Sequence, residues 1–316
     1  MKKLKTKNGK MLLLIGVDVG NGDTKTANTK VRTGIKTVED SSVAQNVLKM
    51  DGITSIIGEG HIDYKEDRTL DENYRRITCQ AIANELRANE VMSGAHEIYL
   101  GVGVPFQHWS RMKDKMKSYF MEKPVLDFVS NGEKYSIRLR DVAVMPQGYS
   151  AVAMQLGRYR GLTWIVDIGN GTLDCITLNH GAANETSSFT EKLGIYRCYL
   201  LAKAKIKDKT LKDLPYEVFE SYMIQGNAEL KLPEEWTSSI DAGVKEYCEQ
   251  MFSTLREHGY SDDYTKLVFL GGGASIVKKN YKESYRFDFI TNVHANAKGY
   301  EEFYYRSLLR KGEISG

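Results

Sequence analysis

The chain has 316 residues, enough for two domains, and its 41% hydrophobic and 27% charged residues are typical of a globular protein. A formal net charge of +3 is too small to indicate nucleic-acid binding, so we predict no direct contact with nucleic acid. No apolar run approaches the roughly 20 residues that cross a bilayer, so we predict no membrane attachment.

The N-terminal stretch and the cysteines favour a cytoplasmic protein. A basic stretch, residues 2–10, precedes an apolar one, residues 11–17, as in a signal peptide. The apolar run is short, Asp18 ends it and no small-residue cleavage site follows, so we expect a solvated tail leading into a core strand. The cysteines are widely spaced and match no zinc pattern: Cys79, Cys175, Cys198 and Cys248. We expect buried free thiols in a reducing compartment.

One five-residue phrase occurs twice, as Asp18-Val19-Gly20-Asn21-Gly22 and as Asp167-Ile168-Gly169-Asn170-Gly171. Strand-forming residues precede and follow each copy. Each copy therefore predicts a buried strand, a tight turn and a returning strand. Asn-Gly is the favoured pair of a type I′ turn, because both turn positions need a positive φ.

The phrase contains more than a hairpin needs. A carboxylate at the end of an apolar strand is costly to bury without a partner. A glycine two residues later lets backbone approach a ligand and leaves amides that suit phosphate oxygens. Two such hairpins facing each other would hold a polyphosphate from both sides. Asp18 and Asp167 would then lie near hydrated Mg²⁺, which usually binds through waters, one or two carboxylates and substrate phosphates.

Between the two copies, apolar spacing and turn residues predict the elements of an α/β domain. Residues 31–60 indicate short strands and turns, with apolar pieces at 41–43 and 53–58. The other predicted elements are a helix at 71–91, a strand at 98–104, a helix at 109–121, strands at 125–129 and 135–139 around Asn131-Gly132, a strand at 142–144 and a helix at 149–156.

After the second hairpin, the pattern predicts a second α/β half. Its elements are a helical stretch to about residue 205, helices at 215–225 and 234–258, a strand at 267–270 that runs into Gly271-Gly272-Gly273, a strand at 287–290 and a helix at 296–309. Three glycines after a strand would let a flat ligand lie on the backbone. Each half opens with a hairpin, so we interpret the repeat as an internal duplication with a mixed sheet in each half.

These motifs, in this order, resemble the actin-like ATPase superfamily, and within it the ParM/StbA plasmid-segregation actins. The matching segments are 18–25 for the first phosphate loop, 145–148 for the first connecting segment, 167–172 for the second phosphate loop, 270–274 for the adenosine loop and 296–300 for the second connecting helix. The resemblance implies an actin-like, duplicated ribonuclease H-like fold with a nucleotide cleft between two domains. It implies domain I at 1–160, with a small subdomain at 31–95 and completed by helix 296–316, and domain II at 161–295.

The resemblance also implies roles for single residues. Asp167 would order the Mg²⁺ hydration shell and the attacking water, Gln147 would position that water, and Asp18 would be the second carboxylate at the metal. Lys192 and Glu217 are the residues assigned to the ribose. The remaining nucleotide-binding residues would be Gly20, Asn21, Gly22, Asp23, Thr24, Lys25, Gly169, Asn170, Gly171, Thr172, Gly271, Gly272 and Gly273.

The function that the resemblance implies is a filament-forming ATPase that drives plasmid segregation. ATP with Mg²⁺ would favour a head-to-tail filament of this chain, hydrolysis would weaken it, and a DNA-bound adaptor protein would link it to the plasmid. GTP stays open as the nucleotide. Two other functions of the superfamily also stay open: a small-molecule kinase, and a cell-shape or cell-division homologue.

Overall fold

The computed structural model describes residues 1–6, 9–39, 44–60 and 67–315, and the predicted apolar piece at 41–43 lies outside them. The chain divides into two units. Unit 1 contains Met1–Arg158 together with Asn292–Gly316, and unit 2 contains Tyr159–Thr291. The helices within the described ranges are too short or too polar to cross a membrane.

The strands are, in chain order, β1 (Lys2–Thr6), β2 (Met11–Val19), β3 (Asp23–Lys25), β4 (Lys30–Arg32), β5 (Ile35–Thr37), β6 (Val47–Met50), β7 (Ile53–Ile57), β8 (Gly94–Val104), β9 (Val125–Ser130), β10 (Glu133–Pro146), β11 (Leu162–Ile168), β12 (Leu173–Asn179), β13 (Ala182–Glu191), β14 (Lys266–Leu270), β15 (Phe287–Ile290) and β16 (Ile314–Ser315). The helices are α1 (Glu72–Ala88), α2 (Phe106–Met121), α3 (Tyr149–Val152), α4 (Ile195–Thr210), α5 (Tyr216–Gln225), α6 (Glu234–Glu257), α7 (Ala274–Asn280) and α8 (Ala295–Lys311). Short 3-10 helices lie at Arg68–Leu70 and Ala153–Arg158.

Unit 1 is built on a mixed sheet with the order β16-β1-β2-β8-β10-β9-β6-β7-β5. The central pairs β2–β8 and β8–β10 are parallel, and the outer pairs are antiparallel. The short strand β3 pairs with β2 on one side and with β4 on the other. Unit 2 has a sheet with the order β13-β12-β11-β14-β15. There β11, β14 and β15 run parallel, while β12 and β13 are antiparallel to their neighbours.

The two sheets repeat one arrangement. In each unit a leading strand, β2 or β11, forms a hairpin with the next strand and pairs in parallel with a later one, β8 or β14. A third parallel strand, β10 or β15, follows in each sheet. The predicted two-sheet α/β fold is thus confirmed, and the shared strand order supports a duplication.

The leading strand of unit 1 buries both of its faces because helices cover both. Its odd-numbered residues, such as Leu13 and Val17, join the core that contains α1 and α2. Its even-numbered residues Leu12 and Leu14 join a separate core with Tyr300, Tyr304 and Leu308 of α8. This two-residue alternation places Asp18 on the α8 face of the sheet.

The start of the chain and residues 135–144 differ from the prediction. The basic start of the chain is a strand and no solvated tail: β1 pairs with β2, and Leu4 is buried between exposed lysines. The predicted strands at 135–139 and 142–144 form one strand, β10, which continues through an irregularity between Leu139 and Asp141. Both segments remain paired with β8 on either side of the irregularity, so β10 is one continuous strand.

One helix was shorter than predicted, the prediction for the cysteines was confirmed, and one strand was missed. The helix predicted at 149–156 is α3, a single turn that continues as the 3-10 helix up to Arg158. All four cysteines are buried free thiols, as predicted. The strand β13, which follows β12 as a third antiparallel strand, was not predicted, because most of its residues are polar and exposed.

Candidate functional site

The first hairpin connects β2 and β3. Asp18 lies opposite Lys25 in the ladder, so the two side chains emerge on the same face of the ribbon. The N–H of Gly20 donates to the carbonyl of Asp23 at 3.0 Å and closes the loop. Arg68, on the 3-10 helix before α1, holds the loop from outside: Nη1 donates to the carbonyl of Val19, and Nη2 donates to Oδ1 of Asn21 at 2.9 Å.

The second hairpin connects β11 and β12 and is closed in the same way. The N–H of Gly169 donates to the carbonyl of Thr172 at 2.9 Å. The hydroxyl of Tyr216, at the start of α5, donates to Oδ1 of Asn170 at 2.9 Å. In the ladder Asp167 lies opposite Asp174, so this ribbon presents two carboxylates on one face.

The predicted type I′ geometry of both loops is wrong. The φ angles of Asn21, Gly22, Asn170 and Gly171 do not lie in the left-handed region, which a type I′ turn requires at both central positions. The pair Asn131-Gly132, with φ of 51° and 84°, does form such a turn. The difference has a physical cause, since each loop asparagine is bound by a side chain from elsewhere in its unit, and these contacts outweigh the local turn preference.

The loop backbones are arranged for anion binding. In the second loop, the N–H groups of Ile195 and Tyr196 at the start of α4 donate to the carbonyls of Gly169 and Asn170, at 3.0 and 2.9 Å. Within the described ranges, the N–H groups of the Asn-Gly pair in each loop donate to no backbone or side-chain acceptor. Backbone N–H groups without a protein acceptor remain available to donate to phosphate oxygens.

Asp18 is held at the end of β2 by two donors. Its side chain is only 5% exposed. Gln147 Nε2 donates to Asp18 Oδ1 at 2.8 Å, and the hydroxyl of Tyr300 donates to the same oxygen at 3.1 Å. The structure thus brings together two residues that the sequence nominated, Asp18 and Gln147, and adds a third that it missed.

Asp167 lies against the glycine loop that follows β14. Gly271 has a φ of +83°, and a Cβ atom built on it would collide with Oδ1 of Asp167 and the backbone of Ile168. Gly273 donates its N–H to the carbonyl of Ile168 at 3.1 Å. Gly271 and Gly273 lack side chains, and this allows their backbone to pack against Asp167 and Ile168 at the end of β11. The same lack of side chains would let a ligand approach the backbone.

The other nominated residues lie in varied surroundings. Thr24 is buried, and its hydroxyl lies 2.8 Å from that of Thr33. Thr172 donates to Asp174 at 3.0 Å. Lys192 is exposed just before α4, and Glu217 is exposed in the first turn of α5, next to Tyr216. The ribose role of Lys192 and Glu217 stays a prediction.

The carboxylates do not form a preformed metal cage among the described residues. In the described part of the chain, no three His, Cys, Asp or Glu side chains are grouped to hold a metal ion. Mg²⁺ keeps several waters and usually takes one or two carboxylates plus substrate phosphates. Each unit supplies one carboxylate of this kind, Asp18 in unit 1 and Asp167 in unit 2, each at the end of a strand and next to a loop with N–H groups that have no acceptor in the described ranges.

Three residues that contact the loops were missed by reasoning from the sequence: Arg68, Tyr216 and Tyr300. Arg68 and Tyr216 lie in stretches without a recognisable motif, and each of the three residues contacts a partner at least 46 positions away in the chain. A sequence signal exists only for Tyr300. It lies within the segment 296–300, whose resemblance to a connecting helix indicated a position near the nucleotide.

Comparisons with known proteins agree with this fold. Residues 16–149 match the family model "Actin like proteins N terminal domain", and residues 165–283 match "Archaeal actin homologue MreB-like, C-terminal". The search of curated proteins gave no match.

Solved structures with a similar fold include archaeal and bacterial proteins. The archaeal actin homologue Ta0583 has a TM-score of 0.74 at 17% identity, covering 93% of this chain and 100% of its own. A 15-stranded ParM filament from Clostridium botulinum has a TM-score of 0.71 at 16% identity, covering 93% and 99%. Bacillus thuringiensis ParM with ATP has a TM-score of 0.68 at 15% identity, covering 94% and 99%. The two family models follow one another along the chain as two halves of one fold, and on that basis the chain belongs to the actin-like superfamily.

Proposed function

We propose that this chain is a filament-forming actin-like ATPase that binds one nucleotide with Mg²⁺ through both hairpin loops. The observation that carries the proposal is the matched pair of loops. Each is closed by the same backbone hydrogen bond, follows an aspartate and presents two N–H groups without an acceptor in the described ranges. A hairpin with only a structural role would not need this combination in both units.

The residues of the first loop suit the phosphates. Gly20, Asn21, Gly22 and Asp23 supply backbone to the site, and Lys25 supplies a positive charge on the same face of the ribbon as Asp18. Gln147 orients a water molecule through its side-chain oxygen, because its nitrogen faces Asp18. Asp18 and Asp167 hold the Mg²⁺ hydration shell. The cation, when bound, neutralises phosphate charge and lowers the pKa of its waters.

The second unit supplies the rest of the nucleotide site. Asp167 orders the attacking water, and the loop of Gly169, Asn170, Gly171 and Thr172 contacts phosphate oxygens. The backbone of Gly271, Gly272 and Gly273 contacts the adenosine face, with Lys192 and Glu217 at the ribose. ATP is the proposed nucleotide, and GTP is the alternative because no side chain on these loops reads the edge of a base.

Proteins of similar fold that form filaments support the proposal that this chain polymerises. Among proteins with this fold, Ta0583 has been solved with ADP, B. thuringiensis ParM with ATP, and Alp12 and C. botulinum ParM as filaments. We propose that this chain assembles head to tail into a cytoplasmic filament that segregates a plasmid through a DNA-bound adaptor protein, without direct contact with nucleic acid or membrane. In that scheme residues 1–160 with 296–316 act as actin domain I, including a small subdomain at 31–95, and residues 161–295 act as domain II.

Light scattering and phosphate release, recorded together after addition of ATP and Mg²⁺, test the proposal. We expect scattering to rise and phosphate to appear, and both to stop when EDTA removes Mg²⁺. A chain that neither scatters nor releases phosphate at high concentration would contradict the proposal. A chain that stays monomeric while it phosphorylates a sugar would favour the kinase alternative.

A further inference from the structure

We propose that Tyr300 is a positioning residue for hydrolysis, which fixes the carboxylate of Asp18 and, through it, the side chain of Gln147. This inference rests on the proposed ATPase activity. It adds a role for a residue on the last long helix, 282 positions from Asp18 in the sequence.

The contact is buried and directional. Tyr300 is fully buried, and its hydroxyl donates to Oδ1 of Asp18 at 3.1 Å. Gln147 Nε2 donates to the same oxygen at 2.8 Å. One carboxylate oxygen therefore receives two donors, which restrains rotation of the Asp18 side chain. Its other oxygen, Oδ2, accepts no hydrogen bond from the described residues and is left for a cation or its water.

The sheet beneath Tyr300 is shaped to admit it. Three alternate residues of β8 face α8: Tyr99, Gly101 and Gly103. The first is large, and the two that follow have no side chain. A Cβ atom on Gly101 would lie 3.1 Å from Cβ of Tyr300. A Cβ atom on Gly103 would collide with the Tyr300 hydroxyl and lie 2.9 Å from Cγ of Gln147. Gly103 therefore makes room for both donors of Asp18 at once.

The same face brings the helix itself close to the strand. On β2, a Cβ atom on Gly16 would collide with the carbonyl of Ala297, one turn before Tyr300 on α8. Gly299 is likewise packed against the backbone carbonyl of Ser150 on α3. On this face of the sheet, large residues such as Leu14 and Tyr99 are followed along their strands by glycines. The glycines let α8 lie close to the sheet next to Asp18.

This arrangement determines which way the Gln147 amide points. A carboxylate oxygen only accepts hydrogen bonds, so the Gln147 atom that faces Asp18 must be Nε2. Its Oε1 is then directed away from Asp18 and is available to accept a hydrogen bond from water. If Asp18 turned, the amide could turn too, and the acceptor would no longer be held in place. Tyr300 would therefore influence the rate of the chemical step more than the affinity for nucleotide.

The chain contains a matched control one turn further along α8. Tyr304 is buried, and its hydroxyl donates to Oδ2 of Asp141 at 3.0 Å, on the same sheet. Tyr300→Phe and Tyr304→Phe each remove one hydroxyl and keep the ring. Each leaves one aspartate oxygen with a donor fewer, so we expect similar losses of melting temperature. Their effects on turnover separate positioning from packing.

The test measures kcat and KM for Mg-ATP hydrolysis in wild type, Tyr300→Phe, Tyr304→Phe, Gln147→Ala and the double variant of Gln147 and Tyr300. We expect Tyr300→Phe to lower kcat about tenfold with KM within about twofold, as for one lost hydrogen bond to a charged group. Tyr304→Phe should keep kcat within about twofold of wild type. In the Gln147→Ala background, the tyrosine change should have almost no further effect, because Tyr300 acts through Gln147.

The outcomes separate this inference from the function on which it rests. Wild type with turnover, together with Tyr300→Phe at wild-type kcat, would overturn the role of Tyr300 alone. Equal losses in Tyr300→Phe and Tyr304→Phe, or effects of Tyr300 and Gln147 that simply multiply, would assign Tyr300 to packing. Wild type without turnover would overturn the proposed function and this inference together.

Discussion

The two hairpins are closed by equivalent backbone hydrogen bonds but carry different charged residues. In the first, Lys25 stands opposite the leading Asp18, and the guanidinium of Arg68 holds the loop. In the second, Asp174 stands opposite the leading Asp167, and the neutral hydroxyl of Tyr216 holds the loop. A duplicated scaffold thus pairs its leading aspartate with a lysine in unit 1 and with a second aspartate in unit 2. In the proposed function, Lys25 of the first ribbon compensates phosphate charge, and Asp167 of the second orders Mg²⁺ and its waters.

The two leading aspartates also differ in how they are held. Asp18 is covered by α8 and receives hydrogen bonds from Gln147 and Tyr300. Asp167 is half-buried on β11 and lies against the backbone of Gly271. An immobilised carboxylate suits positioning, and a more accessible one suits ordering a water close to the phosphate.

The largest effect is expected for Asp167→Ala. Hydrolysis should fall by about 100-fold or more, the loss typical of removing a group that stabilises the transition state. Nucleotide should still bind, because the loop amides remain. Phosphate release and nucleotide binding measured on one preparation separate the two effects. Asp174→Ala, which changes the opposite residue of the ribbon, is the control and should retain most turnover. If Asp167→Ala kept full turnover, the assignment of the second ribbon would be wrong.

The next effect compares the residues that hold the two loops. Arg68→Met removes a charged donor, so we expect Kd for ATP to rise about tenfold and to depend less on salt. Tyr216→Phe removes a neutral donor, and we expect a rise of about threefold with unchanged salt dependence. Titration calorimetry at two ionic strengths measures both. A larger salt effect for Tyr216→Phe than for Arg68→Met would reverse the comparison.

A third test compares the first glycines of the two loops in the absence of nucleotide. A Cβ atom on Gly20 would lie 2.8 Å from the carbonyl oxygen of Asp23, whereas one on Gly169 would lie 3.4 Å from that of Thr172. Gly20→Ala should therefore lower the free energy of unfolding by about 1–3 kcal/mol. Gly169→Ala should change it by less than about 1 kcal/mol, since neither glycine has a positive φ. Urea unfolding checks both, and equal losses would contradict the geometric difference.

The last comparison concerns the thiols, one in unit 1 and three in unit 2. Burial raises the pKa of Cys79 and that of Cys248 from 9.0 to about 12, and raises the pKa of Cys175 and Cys198 as well. Thiols of the unfolded chain ionise above pH 9 while buried ones stay protonated, so the free energy of unfolding should fall as pH rises above 9.

Pulse alkylation with mass spectrometry distinguishes the units. Because three of the four thiols lie in unit 2, its stability should decline more steeply than that of unit 1 between pH 9 and pH 10, below the ordinary tyrosine pKa of 10.0. Cys79 reports on unit 1, and the other cysteines report on unit 2. Rapid labelling of the folded chain at pH 8 would show that the thiols are not protected by burial.

Sequence reasoning recovered what depends on local pattern. The apolar runs before each Asp gave β2 and β11, and Asn131-Gly132 forms the type I′ turn that its residues favour. It failed for β1, where lysines flank a single buried Leu4, because pairing with β2 is not visible in five residues. The loop turns were misjudged for a similar reason, since Arg68 and Tyr216 bind the asparagines from distant positions.

In the candidate site, too, residues within local motifs were predicted and contacts between distant positions were not. Asp18 and Gln147 were nominated from separate motifs, and the structure joins them by a hydrogen bond. Tyr300 was included in the predicted connecting segment 296–300, but no role was assigned to its side chain. Its role depends on Gly103, nearly 200 positions away, which leaves space for its hydroxyl. A space left by a missing side chain has no signature in a single sequence.

The central claim is that the two loops bind one nucleotide together. Calorimetric titration of the wild-type chain with ATP in the presence of Mg²⁺ tests it most directly. We predict a single binding event with one nucleotide per chain, and we predict that Arg68→Met and Tyr216→Phe both weaken that same event. Two independent events per chain, each altered by only one of the variants, would contradict the claim.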